Sequence, residues 1–317
     1  LSSVLSTLKP GRAKYALCLT DAGTILDDTI VYRMDDGEAG SEPDYLVVPN
    51  AGNIAAVHTA LNQRASGWDA TVEDQSSTTS LVAVQGPKAE AILAQAMPEA
   101  AEQLAALKYY GHLTLTVPTD AGDVTAVVAR TGYTGEDGFE LFLPAASTAE
   151  AGDRGSAVWN TMLSAADEAG VELTLCGLAS RDSLRLEAGM PLYGNELSRN
   201  ITPVEAGMAR AFAKKEADFV GSEVVRQRAA EGPQVAITGL TSTQRRAARA
   251  GAEVFVGDKK VGTVTSGQPS PTLGHPVAIA LLETSAGLEP GAEVEVEIRG
   301  KRYPFEVTAL PFYKRDK

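Results

Sequence analysis

The stretch Ala129-Arg130-Thr131-Gly132-Tyr133-Thr134-Gly135-Glu136-Asp137-Gly138-Phe139-Glu140-Leu141 decides how this chain is read. Three glycines and two threonines punctuate it, the composition of a turn-dense loop between apolar segments. Val124-Thr125-Ala126-Val127-Val128 enters the loop. Phe139-Glu140-Leu141-Phe142-Leu143 leaves it with period-two alternation, the pattern of a strand. Glu140 lies between apolar neighbours, so it points to the opposite face from Phe139 and Leu141. A carboxylate at the mouth of a strand, beside a glycine-rich loop that lets a flat ligand approach, suits ring N–H donors. A surface hairpin carrying a solvated glutamate fits the same residues.

A second block, Cys176-Gly177-Leu178-Ala179-Ser180-Arg181-Asp182-Ser183-Leu184-Arg185-Leu186-Glu187-Ala188-Gly189-Met190-Pro191-Leu192-Tyr193-Gly194-Asn195-Glu196-Leu197, reads as a short helix over 178–186. Gly189 breaks it and Pro191 follows just beyond.

Composition narrows the chemistry. At 317 residues the chain exceeds one ordinary core, so two or three domains are expected. A hydrophobic content of 44% is that of a globular protein. No apolar run approaches the roughly 20 residues of a membrane span, so no membrane partner is expected. No signal peptide is visible from Leu1 onward. The net charge of −13 and pI near 4.8 repel phosphate backbones, which argues against a nucleic-acid partner. An anionic ligand needs only a local basic patch.

Cys18 lies in the apolar run Ala16-Leu17-Cys18-Leu19 and reads as a buried, reduced thiol. Neither Cys18 nor Cys176 has a histidine at metal-ligand spacing. His58, His112 and His275 are scattered and read as structural or surface groups. A zinc enzyme, a Ser-His-Asp hydrolase and a Cys-His protease all lack their usual components. The Walker loop and the dinucleotide fingerprint are missing too. Chemistry here must rest on carboxylates, tyrosines, arginines and the bound substrate.

Along the chain, 12–34 reads as two strands joined by a turn at Asp21-Ala22-Gly23, and Tyr45-Leu46-Val47-Val48 as another strand. Residues 50–64 read as a helix capped by Asn50 or Asn53, with Ile54, Val57 and Leu61 on one face. The polar segment 36–43 reads as a loop insertion. Ser80–Val84 is a strand. Pro87 starts a helix whose apolar stripe is Ile92, Leu93 and Met97. Residues 155–168 form a helix with Val158, Met162 and Ala166 inward and Gly170 as its stop. After Ala230 short strands dominate: a hairpin over 253–264 turning at Gly257-Asp258, then strands at 277–282, 293–299 and 303–309. That region reads as a separate β-barrel-like domain, and the overall class is α+β.

The two blocks together resemble the aminomethyltransferase (T-protein) family of the glycine cleavage system. The resemblance continues at Leu8-Lys9-Pro10-Gly11-Arg12-Ala13-Lys14-Tyr15, Ile25-Leu26-Asp27-Asp28, Val84-Gln85-Gly86-Pro87 and Gly262-Thr263-Val264-Thr265-Ser266-Gly267-Gln268-Pro269-Ser270-Pro271-Thr272-Leu273. These motifs run in the family's order over nearly the whole chain. Thr24 stands where the family usually has a second glycine, and Gly23 remains to supply the positive backbone angle of the turn. The resemblance places Leu1 inside the family's first domain, so a preceding stretch is expected. It implies the family's three-domain folate-binding fold: residues 1–230 as two interleaved α+β domains and 231–317 as the C-terminal barrel.

The implied activity moves the methylene carbon of a lipoyl-bound aminomethyl group to tetrahydrofolate and releases ammonia. Tetrahydrofolate is then a co-substrate, no metal is implied, and the partner is the lipoylated carrier, the H-protein. The implied compartment is the bacterial cytoplasm, or the mitochondrial matrix in a eukaryote. Asp28 matches the family's essential aspartate, which assists proton movement and steadies positive charge at the reacting nitrogen. Adjacent residues face opposite sides of a strand, so Asp27 points away from it. Glu140 matches the pterin-binding glutamate, whose oxygens pair with ring N–H groups. Arg181 matches a ligand-binding arginine suited to a folate carboxylate or ring oxygen; as a helix residue it also suits an exposed acid, and Arg185 suits Asp182 at i+3. Tyr15, Tyr133 and Asn50 fall where the family lines its pocket, although aromatic packing also accounts for the two tyrosines. Tyr313 is a further candidate. Two alternatives stay open. One is a non-catalytic folate-binding module like the related iron–sulfur maintenance proteins, whose Lys-Gly-Cys-type loop is replaced here by Thr131-Gly132-Tyr133-Thr134-Gly135. The other is the folate half of a demethylating flavoenzyme, although no flavin-binding glycine-rich fold is visible.

Overall fold

A computed structural model describes residues 1–34, 44–213 and 215–315; the polar segment at 36–43 lies outside them. The chain divides into two units. Leu1–Leu5, Tyr15–Thr29 and Gly177–Lys317 form one, and Ser6–Lys14 with Ile30–Cys176 form the other.

The second unit is organised by a four-stranded antiparallel sheet in the order β4-β7-β6-β5, with β4 at Thr79–Gln85, β5 at His112–Val117, β6 at Val124–Ala129 and β7 at Gly138–Pro144. Alternation gives the sheet two apolar faces. On one, Ala126, Val128, Phe139, Leu141 and Leu143 pack against helices α2 (Ala89–Ala96) and α4 (Thr148–Glu168). Val127, Ala129 and Phe142 face the other way and cluster with Ala13, Tyr32, Leu46 and Val48. The last three belong to β2 (Ile25–Arg33) and β3 (Tyr45–Val48), which pair antiparallel. Glu140 shares the side of Phe142, two residues along the same strand.

Helix boundaries depart from the sequence reading where capping is decided by geometry. Helix α1 is Ile54–Ala65, preceded by a 3-10 turn over Ala51–Asn53, and neither Asn50 nor Asn53 caps by its side chain. Pro87 sits in the turn before α2, which starts at Ala89. Helix α4 begins at Thr148, well ahead of the expected start at 155, because Ser147 accepts a hydrogen bond from the Glu150 N–H at 3.2 Å. It stops as expected at Gly170 (φ 65°). In this unit, β5 and the short helix α3 (Ala101–Ala106) were not anticipated. None of the helices among the described residues is long and apolar enough to cross a membrane.

The first unit is built on a closed barrel in the order β10-β11-β8-β13-β12-β9. Its strands are β8 Val235–Thr241, β9 Glu253–Val256, β10 Lys259–Pro269, β11 Pro276–Glu283, β12 Glu293–Ile298 and β13 Lys301–Thr308. Of these, β8 was not anticipated, nor was the helix α6 (Ser222–Glu231) ahead of it. Val294 and Val296 point inward, and Glu293, Glu295 and Glu297 outward. β9 and β10 join through Gly257-Asp258, with Gly257 at φ 57°. Segments of β1 (Arg12–Leu19) and β2 contribute Leu17, Leu19 and Ile25 to a second core of this unit. The β1–β2 turn takes its positive angle from Gly23 (φ 73°), and the hydroxyls of Thr20 and Thr24 bridge it at 2.7 Å.

Helix α5 (Leu178–Glu187) lies against the barrel, with Leu186 packed on Val277 and Ile279. Its polar residues fasten it there. Arg185 is 1% exposed and donates to Glu196 Oε2 (3.0 Å) and Ser266 Oγ (2.8 Å), with a further pair to Asp182 (2.7 Å). Glu187 accepts from the Ser270 hydroxyl (2.5 Å) and from the hydroxyl and N–H of Thr272 (2.7 and 3.1 Å). Asn195 donates to the Thr265 carbonyl at 2.7 Å, and Gln268 to Asp182 at 3.2 Å. Two motifs far apart in sequence are thus one polar joint.

Arg185→Met is expected to destabilise the protein by about 3–5 kcal/mol, since it leaves the wholly buried Glu196 carboxylate without its counter-charge. Urea unfolding checks this; a loss under about 1 kcal/mol, the range of an ordinary surface change, would mean the joint is not what holds α5.

Candidate functional site

The loop between β6 and β7 is shaped by one side chain, Gln85 at the end of β4. Its amide N–H donates to the carbonyls of Thr131 (3.1 Å) and Phe139 (3.2 Å), and its oxygen accepts from the Thr134 hydroxyl (3.1 Å). The side chain runs through the space left by two glycines. A Cβ at Gly132 would overlap Gln85 Oε1, and one at Gly138 would lie 2.5 Å from Gln85 Cδ. These two glycines therefore admit Gln85, a use of them that the sequence reading did not include. Gly135 serves differently, turning the backbone at φ 79°. Arg130 closes the loop's base. It donates to both oxygens of Asp137 (3.0 and 2.5 Å), to Glu90 (2.8 Å) and to the Leu107 carbonyl (2.9 Å), and its guanidinium sits 5.2 Å from the Phe139 ring centre.

This frame leaves Glu140 on the side of the sheet away from α2 and α4, opposite Phe139 and Leu141 as the alternation requires. It pairs in register with Ala83 and Ala129. Its Oε2 accepts from the Thr131 hydroxyl at 2.5 Å, and Thr131 in turn lies 3.1 Å from the Tyr32 hydroxyl. Tyr32 is wholly buried, with Phe142 and His112 against its ring edge-to-face at 5.3 and 5.6 Å. Burial, and next the charge of Glu140, push the Tyr32 phenol above its ordinary range, so it keeps its proton. Tyr133 and Asn50 belong to this same unit and are half-buried, Tyr133 in the loop and Asn50 ahead of α1.

The other candidates lie in the first unit. The Tyr15 hydroxyl donates to Asp28 Oδ2 at 3.0 Å and lies 3.8 Å from Met208 Sδ. Asp27 is wholly buried while Asp28 is partly open, as neighbours on one strand should be. Arg181 is exposed in the first turn of α5. Tyr313 is fixed at the other end of that helix, where its N–H donates to the Glu187 carbonyl at 2.8 Å. Arg185 meets Asp182 at i+3, as its spacing allows.

The histidines are structural or surface groups. His112 is buried and shares a 2.9 Å hydrogen bond with the Arg33 carbonyl; His58 is on the open face of α1 beside Asn62. Cys18 is buried and not in a disulfide. Among the described residues, no group of three or more His, Cys, Asp or Glu side chains is placed to hold a metal ion. Sequence reasoning gave no role to Gln85, Tyr32 or the Arg185–Glu196 pair. Only Gln85 left a signal, in Gly132 and Gly138, whose missing side chains make room for something to pass.

Residues 2–216 match the GCVT N-terminal domain family, and residues 236–314 match the glycine cleavage T-protein C-terminal barrel domain family. The chain is 59% identical over 316 residues to the aminomethyltransferase of Corynebacterium aurimucosum, covering 99% of this chain and 80% of the relative. It is 48% identical over 318 residues to that of Streptomyces coelicolor, covering 99% and 79%. The crystal structure of the glycine cleavage system aminomethyltransferase T from Bartonella henselae superposes with a TM-score of 0.81 at 34% identity, covering 97% of this chain and 78% of that one.

Gly132→Ala is expected to expel Gln85 from its slot and to lower stability by about 1–3 kcal/mol. Pairing it with Gln85→Ala opens the slot again, so the double variant should be less destabilised than the sum of the two. Thermal melts of the three variants check this; simple additivity would place the clash elsewhere.

Proposed function

The chain belongs to the glycine cleavage T-protein family, and from that premise we propose how its residues do the family's work. It is an aminomethyltransferase of glycine cleavage: it passes the methylene carbon of an aminomethyl group to tetrahydrofolate and releases ammonia. We infer that the aminomethyl group arrives on the lipoyl arm of a carrier protein, the H-protein, and that the reaction runs in the bacterial cytoplasm without a metal. Residues 1–230 would hold the folate, and 231–317 would form the barrel region.

The observation that supports the residue roles is the hydrogen bonding of the two acids. Attack of a folate nitrogen on the methylene carbon develops positive charge at nitrogen. A fixed carboxylate nearby stabilises that charge without rearranging as it forms. Asp28 fits because Tyr15 holds one of its oxygens while the side chain stays partly open. Glu140 fits the pterin because an ionised carboxylate is an acceptor-only group that matches adjacent ring N–H donors. Arg181 would meet a folate carboxylate. Tyr15, Asn50 and Tyr133 would contact the bound folate, as would Tyr313. The loop Thr131-Gly132-Tyr133-Thr134-Gly135 carries no cysteine, which sets the chain apart from the non-catalytic folate-binding relatives.

Asp28→Asn preserves shape and removes charge. It is expected to bind tetrahydrofolate nearly as well as the parent yet to release ammonia from an aminomethyl-loaded carrier about 10²-fold more slowly. Equal rates would remove Asp28 from the chemistry. The matching test for Glu140 is calorimetry. Glu140→Gln turns one acceptor into a donor facing ring N–H groups, so tetrahydrofolate binding should weaken by about 1–3 kcal/mol. Unchanged affinity would take Glu140 out of the pocket.

A further inference from the structure

Tyr32 and Thr131 are buried polar residues that the proposed mechanism does not use, at 0% and 1% exposure. Their hydroxyls are not needed for packing. The Tyr32 ring is held by Phe142 and His112 through its edges and faces, and phenylalanine offers the same ring. Thr131 has the shape of valine. What the hydroxyls do is hydrogen-bond in series, and the series has one direction. An ionised Glu140 can only accept, so the proton on Thr131 Oγ1 points to Glu140 Oε2 (2.5 Å). With its own proton engaged, Thr131 Oγ1 must accept from the Tyr32 phenol at 3.1 Å. The chain runs Tyr32 O–H to Thr131 O–H to Glu140 carboxylate.

We propose that Thr131 and Tyr32 are positioning residues for tetrahydrofolate binding: the two-hydroxyl chain fixes the rotamer of Glu140. This rests on the reading of Glu140 as the pterin-binding acid. A carboxylate left with rotamer disorder has to be ordered at the moment of binding, which weakens affinity. A donor that is itself buried and oriented removes that disorder beforehand. The Gln85 frame completes the arrangement, since its bond to the Thr131 carbonyl fixes the residue whose hydroxyl does the orienting.

The test is a double-mutant cycle read by calorimetric titration with tetrahydrofolate. Thr131→Val is expected to raise Kd about ten-fold, the range for loss of a hydrogen bond to a charged group. Tyr32→Phe should raise it by a smaller factor, about three-fold, as for a bond between neutral groups. Thr131→Ser should keep parental affinity because the hydroxyl remains. In a Glu140→Ala background, Thr131→Val should add nothing, because it acts through the acid that is gone. Melting curves establish that each variant folds; where Thr131→Val does not, Tyr32→Phe and Thr131→Ser decide. Parental affinity in Thr131→Val or Tyr32→Phe would overturn the proposal, as would equal loss in Thr131→Ser and Thr131→Val, or an undiminished effect of Thr131→Val in the Glu140→Ala background. If Glu140→Ala alone leaves Kd unchanged, the assignment of Glu140 itself falls and the positioning role falls with it, an outcome distinct from the others.

Discussion

The side chain of Gln85, run between Gly132 and Gly138, is the interaction on which the candidate site depends. A loop of 129–138 with three glycines has high conformational entropy in the unfolded chain and little apolar surface to fix it. Its order comes from polar bonds instead. Gln85 ties the loop's two ends by donating to the carbonyls of Thr131 and Phe139, and it holds the middle through Thr134. Arg130 and Asp137 clamp the base. The consequence is a matter of register: once Phe139 is placed by its carbonyl, alternation places Glu140 on the Tyr32 side of the sheet, within reach of Thr131.

The first unit reaches rigidity by the same means. Helix α5 has a modest apolar contact with the barrel, through Leu186 alone among its fully buried apolar residues. Arg185 and Glu187 supply the rest, each buried and each bonded to β10 or the turn after it. Buried charges of this kind are poor sources of net stability, because desolvation offsets most of the attraction. Their use is directional. A guanidinium and a carboxylate that must both be satisfied allow one register of helix on strand, where leucines would allow several.

The sequence disclosed most of the fold for a physical reason. Period-two alternation at 139–143, the strand read at 293–299, the glycine turn at 257–258 and the stop at Gly170 are local signals, and each element formed as its own residues dictate. Boundaries failed where the deciding contact was a cap: Ser147 extends α4 through one backbone N–H, while Asn50 and Asn53, which have the right composition, do not cap. In the candidate site, the direction of Glu140, the opposed faces of Asp27 and Asp28 and the Arg185–Asp182 pair were legible, because strand and helix periodicity fix them. The partners of those groups were not. Tyr32 lies 99 residues from Thr131, and Arg185 lies 81 from Ser266. Such pairings exist only after the chain has folded, and periodicity carries no information about them.

The glycines show what this means for reading function from motifs. In sequence they mark a place where a ligand's ring could approach; in the structure two of them make room for glutamine. The residues that make the 129–141 stretch distinctive are therefore mostly those of the frame: Arg130, Gly132, Thr134, Asp137 and Gly138 bind the protein to itself. Glu140 has a proposed role toward a ligand, and it takes that role from a strand position that any residue of suitable size could fill. The dependence runs one way: the site rests on the frame, and the frame bonds of Gln85 and Arg130 do not include Glu140. A chain could keep this frame, fold as this one does, and lack Glu140. That this chain keeps Glu140 and also carries a buried hydroxyl donor to orient it, where the frame needs neither, is the strongest structural ground for treating the stretch as a binding site and not as a fold signature alone.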